Sequence, residues 1–300
     1  RFGSERICSI IGQQLSPNFA LTKLMWVKKN LPDVYKNTAL SVQAKDYIAW
    51  KMTGRHVTEQ TDAAFYQAFD VGENHWSWDL IEAAGIRDDI FPEVIDCADV
   101  VGEVTKDAAE ALGIKAGIPV VAGAGDGPAS SLGAGAVRAG IAFLTMGSTC
   151  GLAAITDTFS PDSQGRLNMG PHVVKGLFGV GGAMQNGGVS YEWIRSKLFG
   201  EGISYREMDA FAKKSPAGAN GVMFLPYLLG ERAPWWNPLA RASFIGMGFD
   251  TNRGDMLRAV LEGVGYNLEL IHRIISKYAP IDTMIMTGGG AKSELWSSII

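Results

Sequence analysis

Apolar residues recur at three- and four-residue spacing through Leu257, Val260, Leu261, Val264, Leu268, Ile271 and Ile275. That period predicts one long helix over 254–279 with a single buried face. Shorter helical patterns precede it. Leu21, Leu24 and Met25 share a face after Pro17-Asn18, until Pro32 breaks the run. Residues 42–52 predict another helix, with Gly54 placed to adopt the left-handed cap. Ser77 and Thr105 stand where N-caps belong, ahead of short helices ending at Gly85 and Gly113. An amphipathic helix is expected over 189–198, and Ser204 with Glu207 has capping-box spacing.

β patterns alternate with these helices. Val120-Val121 is a β-branched run that ends in GAGDG, and a helix of small residues is expected over 129–137. Residues 141–146 and 151–156 predict a hairpin across Gly147-Ser148-Thr149, and 172–174 with 177–180 a second one around Lys175-Gly176. Short strands at 222–225 and 284–286 complete the set, the last running into Thr287-Gly288-Gly289-Gly290 and a helix from 293. The class is α/β. The change of character at 137–140 predicts two domains, 1–137 and 138–300.

Composition narrows the function. Three hundred residues, 47% of them hydrophobic, can bury roughly two cores at ~150 residues per domain. A net charge of −4 without a basic run argues against a nucleic-acid partner. Cys8, Cys97 and Cys150 are odd in number and far apart, which suits a reducing cytosol. His56, His75, His172 and His272 have no metal-ligand spacing, so no metal ligand is assigned. No stretch reaches the ~18 apolar residues of a membrane span, and no signal peptide opens the chain. A cytoplasmic protein without membrane contact is expected. Arg1 begins without cap or initiator methionine and Ile300 falls inside a predicted helix, so an internal fragment is expected.

Candidate chemistry concentrates in 120–151. Glycines at a strand exit let backbone N–H groups approach a ligand closely, and Asp126 is the one acid among them. A strand-to-helix turn is where α/β proteins place ligands, so Asp126 reads as a phosphoryl-transfer base; it could equally cap a helix starting at Pro128. Gly147-Ser148-Thr149 reads as a phosphate loop or as an ordinary hairpin turn. Gly288-Gly289-Gly290-Ala291 follows a strand and precedes a helix, a place for nucleotide phosphate. It is not a Walker A loop, since Met286 stands where the first glycine belongs and Ala291 precedes Lys292. GAGDGP is not a dinucleotide fingerprint either: Pro128 takes the place of its last glycine, and the acid expected ~20 residues on is missing. Gly181-Gly182 and Gly187-Gly188, with Gln185 and Asn186 between them, either line a nucleotide cleft or relieve packing. Glu231-Arg232 reads as a structural ion pair, with a direct ligand role as the alternative. Trp235-Trp236 reads as core packing or as an exposed interface pair, while Trp26, Trp50, Trp76, Trp78, Trp193 and Trp296 are assigned to packing.

Four segments together resemble the FGGY family of carbohydrate kinases: 16–26, GAGDG with its helix, 242–263 and TGGGAKSELW at 287–296. The resemblance implies an actin-like ATPase (ribonuclease H-like) fold, a two-domain sugar kinase with both domains incomplete here. Residues 1–137 would be the later part of an N-terminal sugar-binding domain and 138–300 the early part of a C-terminal nucleotide-binding domain, closing on a cleft. It implies Asp126 as general base, with Asp126 and Gly127 at the substrate; relatives often have an amide residue in place of Gly127. Gly147, Ser148, Thr149, Gly187, Gly188, Gly288, Gly289, Gly290 and Ala291 would contact the nucleotide. ATP and Mg²⁺ are the implied cofactors, the metal held mainly by phosphates, waters and acids of an N-terminal Asp-x-Gly-Thr loop that this sequence does not contain. The chain alone is therefore expected to turn over little or nothing. GAGDGP, GGAMQNGG and LLGERAPWWNP are similar to gluconate kinases, while LTKLMWVKKNLPDVYK and AKDYIAWKMTG are similar to xylulose kinases. The implied reaction is phosphorylation of D-xylulose to D-xylulose 5-phosphate, with gluconate or another polyol as alternative; a homodimer is left open. Two readings from other classes remain: an NAD-linked oxidoreductase, and an actin-like nucleotide-binding module without transferase activity.

Overall fold

The computed structural model describes residues 2–200 and 202–300. Arg1, where the sequence places a truncated element, lies outside the described residues. The chain folds into two compact units, Arg1–Val137 with Thr156–Gly179, and Arg138–Ile155 with Val180–Ile300. The expected single cut at 137 coincides with the first crossing. Two further crossings put 156–179 with the first unit, an excursion that no change of composition marks.

In the first unit, helices Ser4–Ile11, Ala20–Asn30 and Ala44–Thr53 pack around short strands. Gly54 takes the left-handed cap of the last of these, at φ +77°. Thr105 caps helix Lys106–Leu112 by accepting the Ala108 N–H, and Gly113 closes it. Ser77 occupies the N-cap of Trp78–Ala83 but makes no side-chain cap bond. Val57–Glu59 pairs parallel with Glu93–Ile95, and Val100–Glu103 antiparallel with Pro119–Val121. The core gathers Tyr66, Phe69, Trp76, Ile81 and Ile90; Trp76 lies edge-on to Tyr66 with centroids 5.1 Å apart and donates Nε1–H to the Pro92 carbonyl at 2.8 Å. Buried aromatic N–H groups need such an acceptor.

The second unit is built on strands ordered Thr283–Thr287, Ile141–Met146, Cys150–Thr156, Phe178–Met184. The first pair is parallel, with Met286 opposite Leu144, and the second antiparallel, with Leu144 opposite Leu152. The second expected hairpin is displaced: its arms are Asn168–Pro171 and Phe178–Met184 rather than 172–174 and 177–180. Short polar-apolar alternation does not fix a boundary where glycines are frequent. The long helix is Arg253–Ile275, begun by an Asn252–Asp255 capping box and burying Leu257, Val260, Leu261, Val264, Leu268, Ile271 and Ile275. Gly263 lets it approach strand Met223–Leu225, since a Cβ there would collide with the Phe224 carbonyl. The Ser204–Glu207 capping box opens helix Tyr205–Ala212. The tryptophans divide. Trp76 and Trp296 are buried, but Trp26 and Trp78 are exposed, contrary to their assignment to packing; Trp235 and Trp236 are exposed too, against the packing reading of that pair and with its alternative. No helix among the described residues is long and apolar enough to cross a membrane.

Candidate functional site

Each unit contains one cavity lined by residues that the sequence singles out. In the first, strand Pro119–Val121 leads through Ala122–Gly125 into helix Asp126–Gly133. The helix starts three residues before its expected position, because Pro128 is tolerated within a first turn, where its missing N–H is unneeded. Asp126 is its first residue, with Gly125 as an N-cap that makes no side-chain bond. The capping alternative is thereby corrected: the helix has already begun at Asp126. Asp126 Oδ1 accepts the Gly127 N–H at 2.8 Å. The carboxylate is exposed and borders a cavity of about 480 Å³ with Lys23, Ser41, Gln43, Asp62 and Gly125. Gly127 does not line that cavity; its part is the amide it gives to Asp126.

Asp62 is a lining residue that sequence reasoning missed. It follows Glu59, whose carboxylate caps the short helix Gln60–Ala64 by accepting the Thr61 and Asp62 N–H groups. Burial pushes the Asp62 carboxyl up to about 6, against the pull of the Lys45 ammonium 3.4 Å away and with further upward push from Glu59 and Asp46. Burial opposes the charge on Lys45, but its hydrogen bond to Asp46 at 2.6 Å and the nearby carboxylates of Glu59 and Asp62 raise its pKa overall. An acid cluster with a threonine was visible in the chain; that one of its acids faces a cavity depends on the fold.

In the second unit, a cavity of about 1090 Å³ is lined by Gly147, Ser148, Gly188, Gly289 and Gly290, among others. Gly147-Ser148-Thr149 is an exposed turn closing strands Ile141–Met146 and Cys150–Thr156. It is bound to the 187–189 turn through the backbone alone: Gly188 N–H donates to the Gly147 carbonyl at 2.8 Å, and Val189 N–H to that of Ser148 at 3.1 Å. A Cβ on Gly188 would lie 2.6 Å from the Gly147 oxygen, and one on Gly187 would collide with the Cys150 sulfur. The glycine pair therefore serves close packing, and Gly188 borders the cavity as well. Thr149, Gly187, Gly288 and Ala291 lie outside the lining. Gly288, at φ +95°, meets the Met146 carbonyl and is required by the backbone. The helix expected from 293 is there: Ser293 caps Glu294–Ile299, and a 3₁₀ turn, Gly290–Lys292, lies between the glycines and that cap.

Asp209, also missed, joins three elements of this cavity. It accepts the Tyr191 hydroxyl at 2.9 Å on Oδ1 and the Ser293 hydroxyl at 2.7 Å on Oδ2. Burial, then the Asp209 charge, pushes the Tyr191 phenol far above its usual range. Glu231 makes no salt bridge with the Arg232 side chain among the described residues, correcting the expected ion pair. Its Oε1 accepts instead the backbone N–H groups of Gln185 and of Arg232, the latter at 2.8 Å, and burial raises its pKa. No group of three or more His, Cys, Asp or Glu able to hold a metal occurs among the described residues. A metal cage does not fit these residues.

Residues 2–133 match the model of the FGGY family of carbohydrate kinases, N-terminal domain, and residues 142–300 match that of its C-terminal domain. The xylulose kinase of Bacillus subtilis is 31% identical over 297 residues, 99% of this chain and 59% of its own length. Among solved structures, the xylulose kinase from Rhodospirillum rubrum has a TM-score of 0.93 at 29% identity, covering 99% of this chain and 60% of that one. The gluconate kinase from Lactobacillus acidophilus has the same TM-score at 28% identity, with 99% and 60% covered. The chain thus spans about three fifths of the length of the relatives it matches. Its α/β architecture is that of the FGGY sugar kinases.

Proposed function

Because this chain belongs to the FGGY family of carbohydrate kinases, we propose that the protein carrying it transfers the terminal phosphoryl group of ATP to a sugar hydroxyl, with Asp126 as general base. The first unit would bind the sugar and the second the nucleotide. The carrying observation is Asp126 itself: an exposed carboxylate at a cavity, one oxygen held by the Gly127 amide and the other with no protein donor among the described residues. A base needs that arrangement, a fixed orientation with one lone pair left for the substrate hydroxyl. Phosphoryl transfer leans mainly on positioning and on charge neutralisation, and the base accepts the hydroxyl proton as the new O–P bond forms. Ser148 and the amides of the 147–149 turn would bind nucleotide phosphate oxygens, with the 289–290 backbone on the same cavity. ATP fits a cavity of that size and lining; a divalent metal would accompany it, held chiefly by phosphates and waters. The non-transferase actin-like reading needs Asp126 buried and turned away, and the exposed carboxylate speaks against it.

D-xylulose is the favoured substrate. Asp62 and Asp126 both border the sugar cavity, and a neutral sugar meets two carboxylates without like-charge repulsion. The name of the Bacillus subtilis relative points the same way. Gluconate is the second reading, favoured by Lys23 on the same wall, whose ammonium could meet a substrate carboxylate. The test is sugar-dependent ADP formation by the full-length protein over a panel of ketoses, polyols and aldonates. Highest kcat/KM for D-xylulose is expected; a preference for gluconate replaces the substrate, and no sugar-dependent ADP at all removes the kinase reading.

A further inference from the structure

The turn that presents Asp126 is held at both ends by a buried polar cluster. Glu59, fully buried, accepts four hydrogen bonds: from the Thr61 N–H at 2.6 Å, the Thr61 hydroxyl at 2.8 Å, the Asp62 N–H at 3.0 Å and the Cys97 thiol at 3.0 Å. The Thr61 hydroxyl gives its proton to Glu59, which fixes its lone pairs toward Gly125, and the Gly125 N–H donates to it at 2.9 Å. Gly125 is the residue immediately before Asp126. At the other end of the turn, Lys45 Nζ donates to the Ala122 carbonyl at 2.9 Å while bound to Asp46. Gly125 packs closely on its neighbours: an added Cβ there would lie 3.2 Å from the Phe65 ring and 3.4 Å from Asp62 Oδ1.

We infer that Thr61 is a positioning residue for the base: through the relay Glu59–Thr61–Gly125 it sets where the first residue of helix Asp126–Gly133, Asp126, presents its carboxylate. Thr61 does not line the cavity and touches no substrate. Its effect passes through the Gly125 amide. Charge-assisted acceptance by Glu59 polarises the hydroxyl and orients it, so a neighbour that accepts no proton cannot substitute for Glu59. The inference rests on Asp126 acting as base.

The experiment compares Thr61→Val and Thr61→Ser in the full-length protein, with Asp126→Asn alongside. Valine keeps the shape and removes the hydroxyl; serine keeps the hydroxyl. A misplaced base lowers kcat, and roughly ten- to a hundredfold is expected for Thr61→Val with the sugar KM changed less than about threefold. Thr61→Ser should restore kcat to within about threefold of wild type, and the Gly125 amide should lose hydrogen-exchange protection in the valine variant only. If Thr61→Val does not fold, Thr61→Cys, a weak donor and acceptor of similar size, should give an intermediate kcat. A Thr61→Val kcat within threefold of wild type, equal losses in the valine and serine variants, or a cysteine variant matching wild type would each overturn the positioning role. Full turnover by Asp126→Asn would instead remove the base, whatever the Thr61 variants do, which keeps the two failures apart.

Discussion

The Asp126 turn of the first unit and the 147–149 turn of the second are secured in opposite ways. Residues 122–126 are held by side chains: the Lys45 ammonium on the Ala122 carbonyl and the Thr61 hydroxyl on the Gly125 amide, both anchored in buried carboxylates. Residues 147–149 are held by backbone, through the Gly188 and Val189 amides, with glycines where any Cβ would collide. A base needs one carboxylate in one place, and a network of charged groups can set it. A phosphate loop must present amides and leave room for oxygens, and bare backbone does that best. Side-chain support can be tuned by substitution and by pH. Backbone support tolerates almost no substitution.

Replacing Asp126 should have the largest effect. Asp126→Asn keeps the Gly127 contact and the fold but loses proton acceptance, so kcat should fall roughly 10²- to 10⁴-fold while nucleotide affinity is retained. Steady-state kinetics with nucleotide titration checks this, and parallel loss of ATP binding would place Asp126 in a structural role. Next comes the backbone-held loop. Gly188→Ala drives a methyl group against the Gly147 carbonyl, and overpacking of this kind costs about 1–3 kcal/mol. Its melting temperature should drop and its nucleotide Kd rise about tenfold or more, with sugar binding unchanged. Gly289→Ala is the matched control: φ is −64°, nothing lies within 4 Å of the added methyl, and stability should move by no more than about 0.5 kcal/mol. Equal destabilisation by the two would erase the distinction between the regions.

Local chemistry made much of this legible in the sequence. The long helix, the boxes at Ser204–Glu207 and 252–255, and the caps at Gly54, Thr105 and Gly113 all depend on residues a few positions apart. Asp126 and the 147–149 turn were readable because glycines at strand exits are rare enough to stand out. Asp62, Thr61 and Asp209 were not, because their partners lie on other elements: Lys45 for Asp62, Gly125 64 residues from Thr61, and Tyr191 and Ser293 18 and 84 residues from Asp209. Ser77 shows the local limit. It has the right residue type at the right position, yet its side chain makes no cap bond.

The charged support of the Asp126 turn should also show itself in pH. Asp62 carries a carboxyl raised from 3.8 to about 6, mainly by burial. The folded state therefore holds that proton more tightly than the unfolded chain does. Its contribution to stability is full below about pH 4 and is lost as pH rises through about 6. Asp62→Asn mimics the neutral form and should gain on wild type over that window, by on the order of 2 kcal/mol at pH 7 relative to pH 4. Urea unfolding across the range measures the difference, and a difference that does not change with pH would count against the buried-carboxyl account. No such trend is expected from Gly188→Ala, whose effect is steric.

The smallest effect sharpens the comparison from the other side, because the second unit is not held by backbone everywhere. Away from the 147–149 turn, Ser293 both accepts the Trp296 N–H as a helix cap and donates to Asp209, which also holds Tyr191. Ser293→Ala removes the cap and one of the two hydrogen bonds to Asp209, but leaves the carboxylate its tyrosine partner. A lost cap costs about 1 kcal/mol, and that is the expected drop in unfolding free energy. Nucleotide affinity should fall a few-fold at most, because the wall formed by helix Glu294–Ile299 loosens while Gly147 and Ser148 stay in place. A loss as large as that of Gly188→Ala would mean that side chains, not backbone, govern the nucleotide cavity. The contrast between the two regions would then hold only for residues 122–126 and 147–149, not for the cavities they border.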